Sequence, residues 1–79
     1  MYYVYSIQSE CNPEKYYVGL TSDIERRLAE HNIGKSIHTS KYRPWKLVTY
    51  TAFVDKSRAE KFEIYLKSSS GRAFAKKRL

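Results

Sequence analysis

The sequence predicts an α+β fold with its elements in the order β-β-α-β-α. Two tyrosine-rich segments separated by a turn signal indicate a β-hairpin, and a later apolar run indicates a third strand. Two stretches with apolar residues three and four positions apart indicate helices, one after the hairpin and one after the third strand. The chain has 79 residues, which suits one small core, so we expect a single domain over residues 1–79.

The hairpin is predicted over residues 2–8 and 16–20. Its first strand carries β-branched and aromatic residues on both faces, which is typical of a central strand. The Asn12-Pro13 pair between the strands is a turn signal. On the second strand, Tyr17 and Gly19 share one face, and the glycine should leave space beside the phenol for a ligand or a backbone.

The first helix should begin near Asp23 and end at Gly34. Ser22 and Glu25 have the spacing of a capping box, in which the serine is the N-cap. Asp23 favours the positive end of the helix dipole, and glycine is a common residue just beyond a helix C-terminus. The predicted helix therefore has both a start and a stop signal.

Arg27 and His31 lie four residues apart on the side of this helix marked by the apolar Ile24 and Leu28. The two polar side chains can therefore converge on one anion, and the planar guanidinium suits a phosphate. Simpler interpretations stay open for both. Arg27 could pair with Asp23, and His31 could be a favourable cation near the helix C-terminus.

The rest of the chain continues with a loop, a strand and a helix. Residues 35–44 are predicted as a polar, basic loop, residues 46–54 as the third strand, and residues 55–67 as the second helix. Three serines and a glycine at 68–71 break this helix. The basic tail that follows could form a short extra helix through Phe74.

Glu63 falls on the apolar stripe of the second helix, which is formed by Ala59, Phe62 and Leu66. A carboxylate on a buried helix face is costly unless it is paired or bound to a metal. From spacing alone the simpler interpretation is an ion pair with Lys67, four residues further on. A role as a metal ligand remains the alternative.

The charge of the chain favours a polyanionic partner. Net charge is +7 and the pI is about 9.6, so nucleic acid is the expected ligand. Cys11 is the only cysteine, which excludes an internal disulfide and a cysteine-based metal cluster and fits a reducing compartment. Since no apolar run reaches membrane-spanning length and the N-terminus lacks the features of a signal peptide, we expect a cytoplasmic protein without a membrane partner.

Taken together, these residues resemble the GIY-YIG nuclease domain, in particular its small single-domain members. Five short motifs carry the resemblance in order along nearly the whole chain: Tyr3-Val4-Tyr5, Tyr17-Val18-Gly19, residues 21–28 with His31-Asn32, residues 44–48, and Ala59 with Glu63 and Lys67. The sequence departs from the family pattern in two places. Tyr3 replaces the glycine of the first motif, and no asparagine occurs near the C-terminus, where some larger members use one.

The resemblance implies a three-stranded antiparallel sheet flanked by helices, and metal-dependent hydrolysis of phosphodiester bonds with Mg²⁺ or Mn²⁺ as cofactor. Carried over by motif, Tyr5 and Tyr17 are the two motif tyrosines and Arg27 is the helix arginine. His31 follows Arg27 one turn later. Glu63 is the metal ligand.

On this basis we expect an endonuclease that acts on nucleic acid, with DNA as the favoured substrate and repair or recombination as its context. Basic side chains would bind the phosphate backbone; these are Lys35, Lys41, Arg43, Lys67, Arg72, Lys76 and Lys77. One alternative is a non-catalytic nucleic-acid-binding module, since exposed aromatic residues can stack on bases. Another is a subunit of a repair complex in which a partner protein supplies substrate specificity.

Overall fold

The computed structural model describes residues 1–79 and contains one sheet and three helices. The elements are β1 (Tyr2–Ser9), β2 (Tyr16–Thr21), α1 (Ile24–Asn32), β3 (Trp45–Phe53), α2 (Lys56–Lys67) and α3 (Ser69–Arg78). The predicted α+β class and element order are confirmed. The third strand begins and ends one residue earlier than predicted, and Val54 lies outside it, 83% exposed.

The sheet is antiparallel throughout and has the strand order β2-β1-β3. β1 is therefore the central strand, as its two-sided apolar pattern predicts. Tyr5 of β1 lies opposite Gly19 on β2 and opposite Tyr50 on β3. Because neighbouring side chains of a strand point to opposite faces, Val4 and Tyr5 are buried in different halves of the core.

The core is divided by the sheet into two small clusters. On one face, Val4 packs against Ala59 and Leu66 of α2. On the other face, Tyr5 and Ile7 pack with Trp45, and Leu28 of α1 packs against this cluster. A domain of this size has little buried apolar surface to spare, so both clusters are needed for stability. The second cluster contains the first motif tyrosine.

Each helix begins at a side-chain cap. The prediction that Ser22 caps α1 is wrong, because the carboxylate of Asp23 accepts the hydrogen bond from the Arg26 backbone N–H at 3.1 Å. Asp55 and Ser68 cap α2 and α3 in the same way. An aspartate at the N-cap also places negative charge at the positive end of the helix dipole.

The C-terminal helix is longer than predicted. α3 reaches Arg78, whereas the sequence indicated an end at Phe74. The basic residues of its last turn face the negative end of the helix dipole, which favours continuation of the helix. α1 ends at Asn32, two residues before the predicted stop, and Gly34 just beyond its Ile33 C-cap has a positive φ of 83°.

The connection from α1 to β3 is held by polar contacts to Trp45. The side-chain oxygen of Asn32 accepts a hydrogen bond from the Trp45 backbone N–H at 2.5 Å, and its amide donates to the Trp45 carbonyl at 3.1 Å. The Trp45 indole N–H donates to the carbonyl of Thr39 at 2.8 Å. The predicted loop therefore has a fixed course, with a single 3₁₀ turn at Ser40–Tyr42.

None of the three helices combines the length and the apolar character that crossing a lipid bilayer would require.

Gly71, in the first turn of α3, is required by the close approach of α3 to the end of α2. A Cβ atom at this position would overlap the backbone carbonyl of Tyr65. We expect Gly71→Ala to lower the free energy of unfolding in urea by about 1–3 kcal/mol, since a backbone atom cannot move aside as a side chain can. The matched control is Ser70→Ala, whose exposed neighbouring position should tolerate the change. Equal stability of the two variants would contradict this account of the α2–α3 junction.

Candidate functional site

Tyr5 lies at the centre of the site and is 3% exposed. Its phenol extends over Gly19 on β2, where an added Cβ atom would overlap the hydroxyl and the ring. The space that the sequence predicted beside Tyr17 therefore exists, but the phenol of Tyr5 fills it. A glycine at this position of β2 is a requirement of Tyr5 rather than of a ligand.

His31 at the end of α1 is fully buried and holds the hydroxyl of Tyr5. Its Nε2 atom lies 2.9 Å from the Tyr5 hydroxyl, and its Nδ1 atom lies 2.7 Å from the hydroxyl of Thr39. Burial lowers the pKa of His31, and the positive charge of Arg27 lowers it further. The alternative that His31 is a solvated cation at the helix end is therefore wrong, because the fold favours the neutral imidazole.

A neutral imidazole uses one nitrogen as donor and the other as acceptor. Both neighbours of His31 are hydroxyl groups, which can each donate or accept, so either tautomer gives both ring nitrogens a hydrogen-bond partner. Thr39 is itself 1% exposed, and its carbonyl receives the indole N–H of Trp45. A continuous set of buried hydrogen bonds thus runs from Tyr5 through His31 to the α1–β3 connection.

Thr39 is the member of this set that the sequence did not identify. It lies in a polar loop among serines, lysines and a histidine, and nothing in its neighbours distinguishes it. Asn32 belongs to the third motif, which by itself gives the residue no role. Its side chain is used to hold Trp45, so it does not replace the missing C-terminal asparagine.

Tyr17 on β2 is half-buried and completes a cluster of three rings. The centroid of its ring lies 5.1 Å from that of His31 and 6.4 Å from that of Tyr5. The Lys67 ammonium lies 5.5 Å from the centroid of the Tyr17 ring, close enough for a cation–π contact. Tyr17 therefore joins the residues of α1 to those of α2.

Arg27 pairs with Glu30, not with Asp23 as one interpretation of the sequence had it. The Nη1 atom of Arg27 lies 2.9 Å from a carboxylate oxygen of Glu30, and this contact lowers the pKa of Glu30. Burial raises the pKa of Tyr5, and the neighbouring guanidinium of Arg27 opposes this effect. The guanidinium therefore lies beside the buried phenol.

Glu63 pairs with Lys67, as the simpler interpretation of the spacing predicted. The Lys67 ammonium lies 3.3 Å from a carboxylate oxygen of Glu63. The same ammonium contacts the Tyr17 ring, and the negative charge of Glu63 contributes to the raised pKa of Tyr5. α2 packs on the opposite face of the sheet from Tyr5, so it is Lys67 that connects the Glu63 carboxylate to the Tyr17 ring at the edge of β2.

The donor set around Glu63 suits a metal ion that keeps much of its hydration shell. No three His, Cys, Asp or Glu side chains cluster anywhere in the chain, so one carboxylate is the available ligand. Mg²⁺ uses one or two carboxylates together with waters and substrate phosphates, and it therefore fits. Lys67 contacts one of the two carboxylate oxygens of Glu63, so a metal ion would either share the carboxylate with this ammonium or displace it.

The predicted phosphate-binding cations fall into two groups. Those on the α1–β3 connection are exposed; they are Lys35, Lys41 and Arg43. Three others line a groove of about 960 Å³ beside α3; they are Lys67, Arg72 and Lys76. Lys77 is exposed on α3 outside this groove.

Comparison with known proteins matches the chain to one family. A family model described as the GIY-YIG catalytic domain matches residues 1–78. A UPF0213 protein of Listeria welshimeri is 40% identical over 62 residues, which are 77% of this chain and 69% of that protein. A UPF0213 protein of Halobacterium salinarum is 38% identical over 71 residues, 89% of this chain and 90% of the relative.

A solved structure agrees with these sequence matches. The solution NMR structure of a UPF0213 protein from Bacillus halodurans superposes with a TM-score of 0.57 at 32% identity. The superposition covers 96% of this chain and 81% of that one.

The burial of neutral His31 predicts a specific loss of stability in acid. Burial opposes protonation of His31 in the folded chain. The unfolded chain therefore binds more protons than the folded chain once the pH falls below the ordinary histidine pKa of about 6.5. This stability is fully present above pH 6.5 and is lost as the pH falls towards the lowered pKa of the folded state. The pKa of Glu30 is lowered in the folded chain, so Glu30 adds a further loss of stability only when the pH falls below its ordinary pKa of 4.5.

We expect His31→Gln to remove most of the decrease in the free energy of unfolding between pH 6.5 and pH 4.5, measured by urea denaturation at a series of pH values. The variant should also be less stable near neutral pH by about 1–3 kcal/mol, since Tyr5 and Thr39 lose a buried partner. The control is His38→Gln, because His38 is exposed and is the only other histidine. A flattened pH profile in the control, or an unchanged one in the first variant, would contradict this assignment.

Proposed function

The chain belongs to the GIY-YIG catalytic domain family, and from this premise we propose that it is a metal-dependent endonuclease that hydrolyses phosphodiester bonds in DNA. One observation carries the proposal. The Lys67 ammonium touches both the Glu63 carboxylate and the Tyr17 ring, and Tyr17 packs on the Tyr5–His31 pair. This juxtaposition supports hydrolysis, since it gathers an acid, two phenols and cations where a phosphate could sit.

In the proposed mechanism Tyr17 accepts a proton from the attacking water. The Lys67 ammonium lies 5.5 Å from the centroid of its ring, so a cation is present where this proton transfer would take place. Tyr17 is more exposed than Tyr5 and also lines the groove beside α3, so water and substrate can reach it. These properties favour Tyr17 over Tyr5 for proton transfer.

Tyr5 and His31 act as positioning residues in this proposal. The phenol of Tyr5 is buried, and its hydroxyl is held by the imidazole at 2.9 Å. Since the fold favours a neutral His31, this side chain supplies a hydrogen bond to Tyr5 and no positive charge to the phosphate. The pair fixes the ring against which Tyr17 packs.

Arg27 stabilises negative charge on the phosphate in the transition state. Its side chain is 31% exposed and uses one of its nitrogens for Glu30, so other N–H groups remain free to donate. The ion pair limits the rotamers of the guanidinium and so orients it in advance. A well-placed donor of this kind contributes on the order of 3–4 kcal/mol.

Glu63 would hold Mg²⁺ or Mn²⁺ once Lys67 has moved from its carboxylate. A bound divalent ion would supply neutralisation of charge on the scissile phosphate or the leaving oxygen. The released ammonium would then be free to contact substrate phosphate.

The ion pair between Glu63 and Lys67 also favours a second candidate function, a nucleic-acid-binding module that does not cleave, because Glu63 already has a partner.

Metal-dependent cleavage of plasmid, single-stranded and branched DNA tests the proposal directly. We expect Glu63→Gln to abolish cleavage in Mg²⁺ and Mn²⁺, because the amide cannot replace the carboxylate as a ligand. The matched control is Glu60→Gln, an exposed position on the same helix, which should cleave as the parent does. Chelator should stop the parent. Cleavage by Glu63→Gln at the parental rate would refute the metal-ligand assignment. If the parent cleaved none of the three DNA substrates, the binding module would be favoured.

Replacement of the proposed base should separate turnover from binding. We expect Tyr17→Phe to lower the cleavage rate by a factor of about 10² or more, since proton transfer contributes about that much. DNA affinity measured in chelator should change little, because the ring and its contact with Lys67 remain. If affinity and rate fell together by the same factor, the role of Tyr17 would be in binding.

A further inference from the structure

The groove beside α3 lies on the face of the sheet that packs against α2. We call it the α3 groove; it is bounded by α3, the β1–β2 turn and the sheet, and its volume is about 960 Å³. Its apolar lining comes from both the sheet and the helices; it includes Val18, Val48, Leu66, Ala75 and Leu79. The groove is therefore a concave surface with an apolar lining, whereas a basic helix exposed to solvent on its own would present only charged side chains.

Charged side chains around the α3 groove are almost all basic. Lys15, Lys67, Arg72 and Lys76 line it, and Glu14 is its one acidic residue. The difference of three charges is a large part of the net charge of +7 carried by the whole chain. A ligand that complements this groove must itself be anionic.

An exposed aromatic ring stands at one side of the α3 groove. Tyr16 on the edge strand β2 is 58% exposed and lines the groove together with Val18. An exposed ring beside cations is the arrangement on which single-stranded nucleic acids stack their bases while their phosphates contact basic side chains.

The α3 groove continues into the candidate site. Tyr17 and Lys67 line the groove, and the same two residues contact His31 and Glu63 respectively. A strand that follows the groove is thereby led to the proposed point of cleavage.

We propose that the α3 groove binds a single-stranded segment of the nucleic-acid substrate, an inference that rests on the proposed function. Unpaired bases would lie against the apolar lining and Tyr16, and phosphates would contact Arg72 and Lys76. A duplex does not suit this surface, because its bases are paired inside and its phosphates form a convex outer face. The enzyme would then act on single strands, flaps or gaps.

Binding without cleavage tests the proposal. Fluorescence anisotropy in chelator would compare a labelled oligothymidylate with the same strand paired to oligoadenylate, over a series of salt concentrations. We expect the parent to bind the single strand more tightly than the duplex. In Arg72→Gln/Lys76→Gln, the slope of log affinity against log salt should become shallower by about 1.4, about 0.7 for each lost phosphate contact.

The matched control is Arg58→Gln/Lys61→Gln, which removes the same two charges from exposed positions of α2 outside the groove. Its salt slope should stay near that of the parent. Tyr16→Thr, which keeps a β-branched residue on the strand, should weaken single-strand binding about fivefold or more by loss of stacking. Tighter binding of the duplex, or equal slope changes in the two double variants, would overturn the assignment of the groove.

Failure of this inference can be told apart from failure of the proposed function. If the parent cuts plasmid, single-stranded or branched DNA while Arg72→Gln/Lys76→Gln keeps its single-strand affinity and salt slope, the protein is a nuclease whose substrate does not use the α3 groove. If the parent cuts none of these DNAs, but its single-strand binding depends on Arg72, Lys76 and Tyr16, the groove assignment stands and the nuclease assignment fails.

Discussion

The hydrogen bond between the hydroxyl of Tyr5 and the imidazole of His31 determines the arrangement of the site. It joins the central strand of the sheet to the C-terminal end of α1, and both partners are buried. The phenol can occupy this position only because β2 has Gly19 opposite it. A buried pair of this kind is costly to break, so α1, and with it Arg27 one turn earlier, is held at a fixed distance from the sheet.

Two ion pairs hold the charged groups of the site in the free protein. Arg27 is paired with Glu30, and Glu63 is paired with Lys67. The two pairs differ in consequence. The first orients the guanidinium that we propose binds phosphate and leaves donors free, whereas the second engages the carboxylate that we propose as the metal ligand. In the proposed mechanism, binding of a metal at Glu63 would therefore weaken the hold on Lys67, a cation beside Tyr17.

Local sequence patterns predicted the fold well because each element carries its own signal. The two-sided apolar pattern of β1, the stop at Gly34 and the stripe of α2 all follow from short-range geometry. Burial of His31 could not be predicted from helical spacing, which is the same for a solvated cation and for a buried hydrogen-bond partner. Its environment depends on Thr39, which reaches it through a loop without periodicity. The aspartate cap was missed because Ser22 and Asp23 are both good caps, and the choice depends on where β2 ends.

The position of β2 at the edge of the sheet explains how the two surfaces of the molecule can serve one substrate. Successive side chains of a strand point to opposite faces, so Tyr16 lines the α3 groove while Tyr17 packs on His31 on the other side. No further strand covers this edge, and Lys67 of α2 reaches around it to the Tyr17 ring. A single strand bound as proposed would therefore pass from the groove to the phenol around the edge of β2 without disturbing the sheet. A rigid duplex would need a continuous surface, which the edge strand interrupts.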